Sequence, residues 1–264
     1  MYSESLNMLN TVKKTRRSLQ RQGILKTIWK AICYPLSALK RRRFAKAVLA
    51  LESNEARFTW IYKNNYWQSD ESTSGTGSSL KNTENLRKEL PALISKFSVK
   101  KIFDAPCGDF NWMSHLLPLI NVEYIGGDIV RPLIKSHNHK FKSSKISFIT
   151  IDLIKDNFPE SDLMICRDCL FHLSFADARS LLQKFVASGI LYFLTTTHKQ
   201  IGDFENYDIR TGDFRLIDLF AAPYHFPSKP LAVIDDWAFP DPERQMCLWT
   251  REQVMDALAR FDQI

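Results

Sequence analysis

The chain reads as an α/β protein: a doubly wound, mostly parallel seven-stranded sheet with helices on both faces, preceded by a basic helical N-terminal extension. Three observations predict this. From Val99 onward, short apolar runs alternate with stretches of helical period, and that rhythm means a parallel sheet covered by helices. Acidic residues stand at or just past the ends of successive expected strands. The excess positive charge lies almost wholly ahead of the alternation. With 264 residues and 45% hydrophobic content, there is room for one sizeable domain and an appendage.

Residues 1–58 form the expected extension. Positions 1–48 hold twelve lysines and arginines against Glu4 alone, so +11 of charge sits there; the net is +7, which leaves the body at −4. Ile24, Leu25, Ile28, Trp29 and Ile32 recur at helical spacing before Pro35 and a "KRRR" run. Such a helix lies on an anionic membrane surface, or docks on its own domain or a partner chain. The run "AICYPLSAL" falls far short of the ~20 residues of a membrane span, and no secretory signal is expected.

Residues 59–85 are expected to form a substrate and cofactor lid segment, although by composition its "SDESTSGTGSS", 69–79, is low in complexity and also reads as a flexible linker. The main domain is expected over 86–264. Its first helix carries Leu86, Leu90, Leu93, Ile94 and Phe97 on one face, with Asn82 or Thr83 as cap, and Pro91 is expected to kink or split it. Strands are expected at 100–104, 123–128, 146–152, 162–168 and 190–197, with helices near 110–118, 130–140 and 174–188. After Thr197 the period is lost until strands near 231–235 and 245–249 and a closing helix capped by Thr250.

Five cysteines do not make a disulfide framework in a chain this long, and a reducing cytoplasm fits them. Cys166 and Cys169 have zinc-like spacing, but no second pair completes a ligand set, so buried thiols and no metal are expected.

In an open parallel sheet, ligands bind beyond the carboxyl ends of the strands. Asp104, Asp128, Asp152 and Asp168 all fall there. Asp128, 20 residues after Gly108, suits the two hydroxyls of a ribose. The turn between the first strand and its helix holds Pro106, Cys107, Gly108 and Asp109, where a dinucleotide site needs several glycines and no acid. An aspartate at that helix start repels a pyrophosphate and attracts a cation. A ligand with a ribose, an adenine, an ammonium and a sulfonium fits better than a nicotinamide cofactor, and that ligand is S-adenosyl-L-methionine.

The ordered motifs "FDAPCGDF", "YIGGDIV", "FITIDL" and "LMICRDCLFHL" resemble those of class I S-adenosylmethionine-dependent methyltransferases, whose fold is Rossmann-like, over roughly residues 99–197. More narrowly, the DAPCGDF-type loop is similar to that of a bacterial subgroup, some members of which accompany surface-polysaccharide enzymes. The resemblance implies that Asp104, Pro106, Gly108 and Asp109 shape the loop around the methionine part. It implies that Asp128, with Ile129 beside it, holds the ribose, and that Asp152 with the Leu153 backbone reads the adenine. Arg167, Asp168 and His172 then follow the fourth strand at the methyl-transfer face. The departures are Pro106 in a glycine position, and Asp109 and Phe110 where a small residue and glycine are usual.

In this light segment 69–79 is either a linker or a lid, with Ser72, Ser74 or Ser78 against the cofactor's carboxylate. Trp67 and Trp112 either stack on a ligand or pack in the core. A hydroxyl acceptor needs a general base, and Asp168, His172 and His198 are the candidates. Arg210 and Arg215, with Asp208 and Asp213, either grip a polar substrate or are solvated loop charges. The expected activity is O-methylation of a small molecule or glycan, lipid-linked surface polysaccharide included, by an enzyme peripheral to the inner membrane. An RNA methyltransferase with 1–48 as its arm is the first alternative, although a nucleic-acid site should itself be basic. A non-catalytic cofactor-binding module is the second.

Overall fold

The computed structural model describes residues 46–200, 204–239 and 241–261. The chain divides into two compact units, Met1–Ala47 and Val48–Ile264. The expected amphipathic helix around 24–32 lies outside the described residues, as does nearly all of the charge assigned to membrane contact. The larger unit takes in residues 48–58, which the sequence assigns to the extension. Arg57 shows why: its buried guanidinium donates to Leu51 O at 2.9 Å and to Thr211 O at 3.2 Å, tying this stretch to a distant loop.

The elements run α1 (Asn54–Lys63), α2 (Glu84–Lys96), β1 (Lys101–Asp104), α3 (Asn111–Leu116), β2 (Glu123–Asp128), α4 (Arg131–Phe141), β3 (Ile146–Thr150), β4 (Leu163–Cys166), α5 (Phe175–Ala187), β5 (Tyr192–His198), β6 (Ala232–Asp235), β7 (Arg244–Thr250) and α6 (Arg251–Phe261). They build a seven-stranded sheet in the order β3-β2-β1-β4-β5-β7-β6. Strands β1 to β5 are parallel, and β7 runs antiparallel between β5 and β6.

The period of two along each strand divides the core between the two faces. Phe103, Met164, Phe193 and Trp249 point to the side packed by Leu181 and Phe185 of α5 and Val254 of α6. Their neighbours Ile102, Ile165, Leu194 and Leu248 point to the side packed by Leu86 and Leu90 of α2 and Met113 of α3. Thr250 caps α6 as the sequence indicates: its Oγ1 accepts the Gln253 N–H at 3.2 Å, and Gln253 Oε1 accepts the Thr250 N–H at 3.0 Å.

Pro91 does not divide its helix, and α2 is continuous across it. Leu86 and Leu90 before the proline and Leu93 and Ile94 after it are all buried on one face. That anchorage on both sides outweighs the ~3 kcal/mol a mid-helix proline typically costs. Strand order reverses between β1 and β4, so the crevice beyond Asp104 and Cys166 is where a ligand belongs.

Candidate active site

A cavity of about 360 Å³ opens at that crevice, within the usual size range of small-molecule sites. All four strand-end carboxyl groups, Asp104, Asp128, Asp152 and Asp168, line it. So do Ser74, Pro106, Gly108, Asp109, Ile129, Leu153, Arg167, His172 and His198.

The β1–α3 loop is pinned from several sides. Cys107 N–H donates to Gly127 O at 2.8 Å, and Gly108 N–H donates to Asp128 Oδ2 at 3.1 Å. Gly108 has φ 52°, and a Cβ there would collide with Ser74 Oγ, so glycine is required. Its carbonyl accepts from His137 Nε2 at 2.8 Å. That bond places the His137 proton on Nε2. Phe110 turns away from the cavity, into a cluster with Tyr124, His137, Phe141 and Phe148. The loop is therefore open to a ligand.

The acids differ by environment. Asp128 Oδ1 accepts the Val130 N–H at 3.0 Å; burial raises its pKa, and the N–H donors of Val130 and Gly108 oppose that rise. Asp104 is buried and accepts the Tyr124 hydroxyl at 2.7 Å. Burial lifts its pKa to about 7, against the pull of that bond and of Arg167. Asp152 Oδ1 accepts the Ile154 N–H at 3.1 Å, and its Oδ2 lies 3.3 Å from Lys155 Nζ.

Segment 69–79 is folded onto the cavity as a strap, and Thr73 to Ser78 line it. Thr73 N–H donates to Asp109 Oδ2 at 2.8 Å, and Ser74 Oγ accepts the Asp109 N–H at 2.9 Å. Asn111 Nδ2 donates to Ser78 O at 3.0 Å and to Glu71 Oε1 at 2.8 Å. Gly77 O accepts from Arg167 Nη2 at 2.7 Å.

Arg167 and Asp168 take different parts from those expected. Arg167 grips Asp236 through Nε at 2.8 Å and Nη2 at 3.2 Å, and its Nη1 lies 3.3 Å from Asp168 Oδ2. Its guanidinium also sits over the Trp112 ring, 5.6 Å from the centroid, and Trp112 is a buried core residue at the cavity edge. Arg244 Nε lies 3.3 Å from Asp168 Oδ1 and 3.7 Å from Asp236 Oδ2. Arg167 thus fastens the strap rather than presenting its charge to a cofactor. Burial alone would raise the Asp168 pKa, but the two guanidiniums hold it below the usual carboxylate value. A carboxylate so stabilised is a poor proton acceptor. Asp236 and Arg244 escape sequence reading because no motif surrounds them.

The two histidines separate by tautomer. His198 Nδ1 accepts the Ile217 N–H at 3.2 Å, so its proton is on Nε2 and its lone pair is occupied. Burial pushes its pKa down to about 4. With that lone pair engaged and its charged form disfavoured, His198 is poorly placed to accept a proton. His172 Nδ1 donates to Asp213 O at 2.8 Å, which leaves the Nε2 lone pair without a hydrogen bond among the described residues. Burial lowers its pKa as well, so the ring is neutral near pH 7. Trp67 packs against it at a centroid distance of 4.7 Å, and Phe214 at 5.8 Å; both line the cavity.

The expected substrate-gripping residues do not reach the cavity. Arg215 is fully buried, with Nη2 donating to Tyr224 Oη at 2.7 Å, Nη1 3.5 Å from Asp208 Oδ1, and its guanidinium over Phe175. Asp213 accepts the Phe214 N–H at 2.8 Å on Oδ1 and orients His172 through its carbonyl. Arg210 is exposed.

No protein-family model matches the chain, and no curated protein matches its sequence. Solved structures do share its fold. One is the Burkholderia thailandensis 1,6-didemethyltoxoflavin-N1-methyltransferase with bound 1,6-didemethyltoxoflavin and S-adenosylhomocysteine: 14% identity, 78% of this chain and 88% of that one, TM-score 0.53. Another is a SAM-dependent methyltransferase from Leishmania major: 11% identity, 77% and 88% coverage, TM-score 0.53. The fold is that of the class I S-adenosylmethionine-dependent methyltransferases.

Proposed function

We propose that this protein is an S-adenosylmethionine-dependent methyltransferase that methylates a hydroxyl group of a small molecule or glycan, with His172 as general base. The observation that carries the reading is the convergence of Asp104, Asp128, Asp152 and the 106–109 loop on the cavity that also holds the free Nε2 side of His172.

The residues fit the cofactor. Asp128 accepts two backbone N–H groups and keeps further lone pairs for a ribose diol. Asp104, buried beside a neutral hydroxyl, would regain its charge next to an ammonium. Asp152 would take the adenine amino group. The strap, with Ser74 in it, would exclude water from the transfer. When bound, the cofactor would supply an electrophilic sulfonium methyl for transfer to the acceptor oxygen. His172 Nε2 receives the hydroxyl proton, and the Asp213 carbonyl on Nδ1 steadies the imidazolium so formed.

An RNA substrate is less well supported, because carboxyl groups outnumber guanidiniums around the cavity. The charge of residues 1–48 supports a peripheral place on the cytoplasmic face of a membrane. Sedimentation with anionic but not with zwitterionic vesicles would bear that out. The enzymatic reading is tested by incubation with methyl-labelled S-adenosylmethionine and cell extract. Label should pass to an extractable product with the native protein and not with His172→Gln, while S-adenosylhomocysteine binds both alike. Failure of both proteins to bind either nucleoside would overturn the reading.

A further inference from the structure

We infer that the acceptor is an uncharged ring bearing the reactive hydroxyl, seated beside His172 with its flat face on Trp67 and Phe214, and carrying no phosphate or carboxylate. This rests on the methyltransferase reading above and narrows its acceptor.

The first ground is charge. The cavity is lined by the carboxyl groups of Asp104, Asp109, Asp128, Asp152, Asp168 and Asp241 against the guanidiniums of Arg167 and Arg244. Both guanidiniums are engaged. Arg167 holds Asp236 in a two-pronged contact, touches Asp168 and binds Gly77 O. Arg244 lies between Asp168 and Asp236, with its Nη2 3.5 Å from Gly77 O. Removing either from its carboxylates would leave a buried charge unpaired, which is strongly unfavourable. Among the described residues the cavity therefore has no unpaired guanidinium or ammonium to offer a phosphate or carboxylate.

The second ground is the surface around the base. His172 sits among aromatic rings: Trp67 at 4.7 Å and 37°, Phe171 at 4.6 Å, and Phe214 at 5.8 Å. Trp67 is backed by Gly75, where a Cβ would approach the Trp67 Cβ to 3.0 Å, so the strap limits its movement. Phe214 is 44% exposed and stands at the cavity's edge, beside His172. Rigid aromatic faces beside one basic nitrogen select a ring by stacking and a hydroxyl by its proton. An aromatic ring and the apolar face of a pyranose share this chemistry.

The test begins with calorimetry of S-adenosylhomocysteine, which reads the cofactor site alone. The complex is then titrated with 4-methylphenol, methyl β-glucopyranoside, 4-hydroxybenzoate and glucose 1-phosphate. One of the two uncharged rings should bind at least tenfold more tightly than its anionic analogue, and which one does so distinguishes an aromatic from a sugar acceptor. Phe214→Ala, at an exposed position, should weaken that binding about tenfold and leave S-adenosylhomocysteine unaffected. Trp67→Phe should retain most of the binding and Trp67→Ala should lose it. The inference is overturned if an anion binds as well as its neutral analogue, if no ring binds a protein that binds S-adenosylhomocysteine, or if Phe214→Ala changes nothing. Loss of S-adenosylhomocysteine binding itself would instead refute the cofactor reading.

Discussion

Gly108 N–H donates to Asp128 Oδ2 at 3.1 Å, so the loop after β1 and the end of β2 are held as one unit. The same carboxylate that would hold a ribose thus also shapes the loop that would hold the methionine end. Asp128→Ala should cost S-adenosylmethionine binding about 1.5–3 kcal/mol, the usual worth of a charged hydrogen-bond partner. Calorimetry of native and variant protein checks this, with NAD as the ligand expected to bind little. Equal affinity of the variant would remove Asp128 from the site.

Ser74 and Gly108 are close enough to be tested together. Gly108→Ala drives a methyl into Ser74 Oγ at a backbone angle of φ 52°, and should destabilise the protein by about 1–3 kcal/mol. Ser74→Gly relieves the collision and not the backbone strain, so the double variant should recover part of the loss. Chemical denaturation of the single and double variants measures the coupling.

Asp104 and His198 give opposite pH signatures. The Asp104 carboxyl titrates near 3.8 when unfolded and about 7 when folded, so the folded state holds the extra proton between those values. Its contribution to stability falls as pH rises through that window. Asp104→Asn should therefore be more stable than the native protein at pH 8, by on the order of 2–4 kcal/mol, and little different at pH 4. His198 titrates near 6.5 unfolded and about 4 folded, so the unfolded state holds the extra proton there, and stability falls as pH drops from 6.5 towards 4. Urea denaturation across pH 4–8 separates the two. A cation binding beside Asp104 should also expel a proton below pH 7, visible as a buffer-dependent heat.

The tautomers are directly observable. Nitrogen NMR of the imidazoles should find the proton on Nδ1 of His172 and on Nε2 of His198. The reverse pattern would transfer the base from one to the other.

Gly77→Ala probes the strap. A methyl there would stand 2.9 Å from Asp168 Oδ2 and 3.0 Å from Arg244 Nη2, which forces the strap outward. Amide hydrogen exchange over residues 69–79 should quicken by roughly tenfold or more, while the sheet is unaffected.

The sheet was legible because Ile102/Phe103 and Leu163/Met164 alternate between two buried faces, a pattern that needs no distant information. The rim acids were legible because a residue at a strand's end has its place fixed by that strand. What eluded the sequence depends on contacts between remote positions. The glycines and serines of 69–79 left linker and lid equally open, because their order comes from Asp109, Asn111 and Arg167, which no local composition reveals. Asp168 looked like a base until Arg244, 76 positions away, came within 3.3 Å of it. Arg215 looked like a substrate ligand, and its burial against Tyr224 and Phe175 is a tertiary fact.

The Arg167 grip on Gly77 O has a kinetic corollary. On the proposed function, a nucleoside behind the strap would leave only as that bond and its neighbours break, which would make its release a gated step. Rapid mixing should then show a first equivalent of methylated product formed quickly, followed by a slower steady rate set by escape of the demethylated nucleoside.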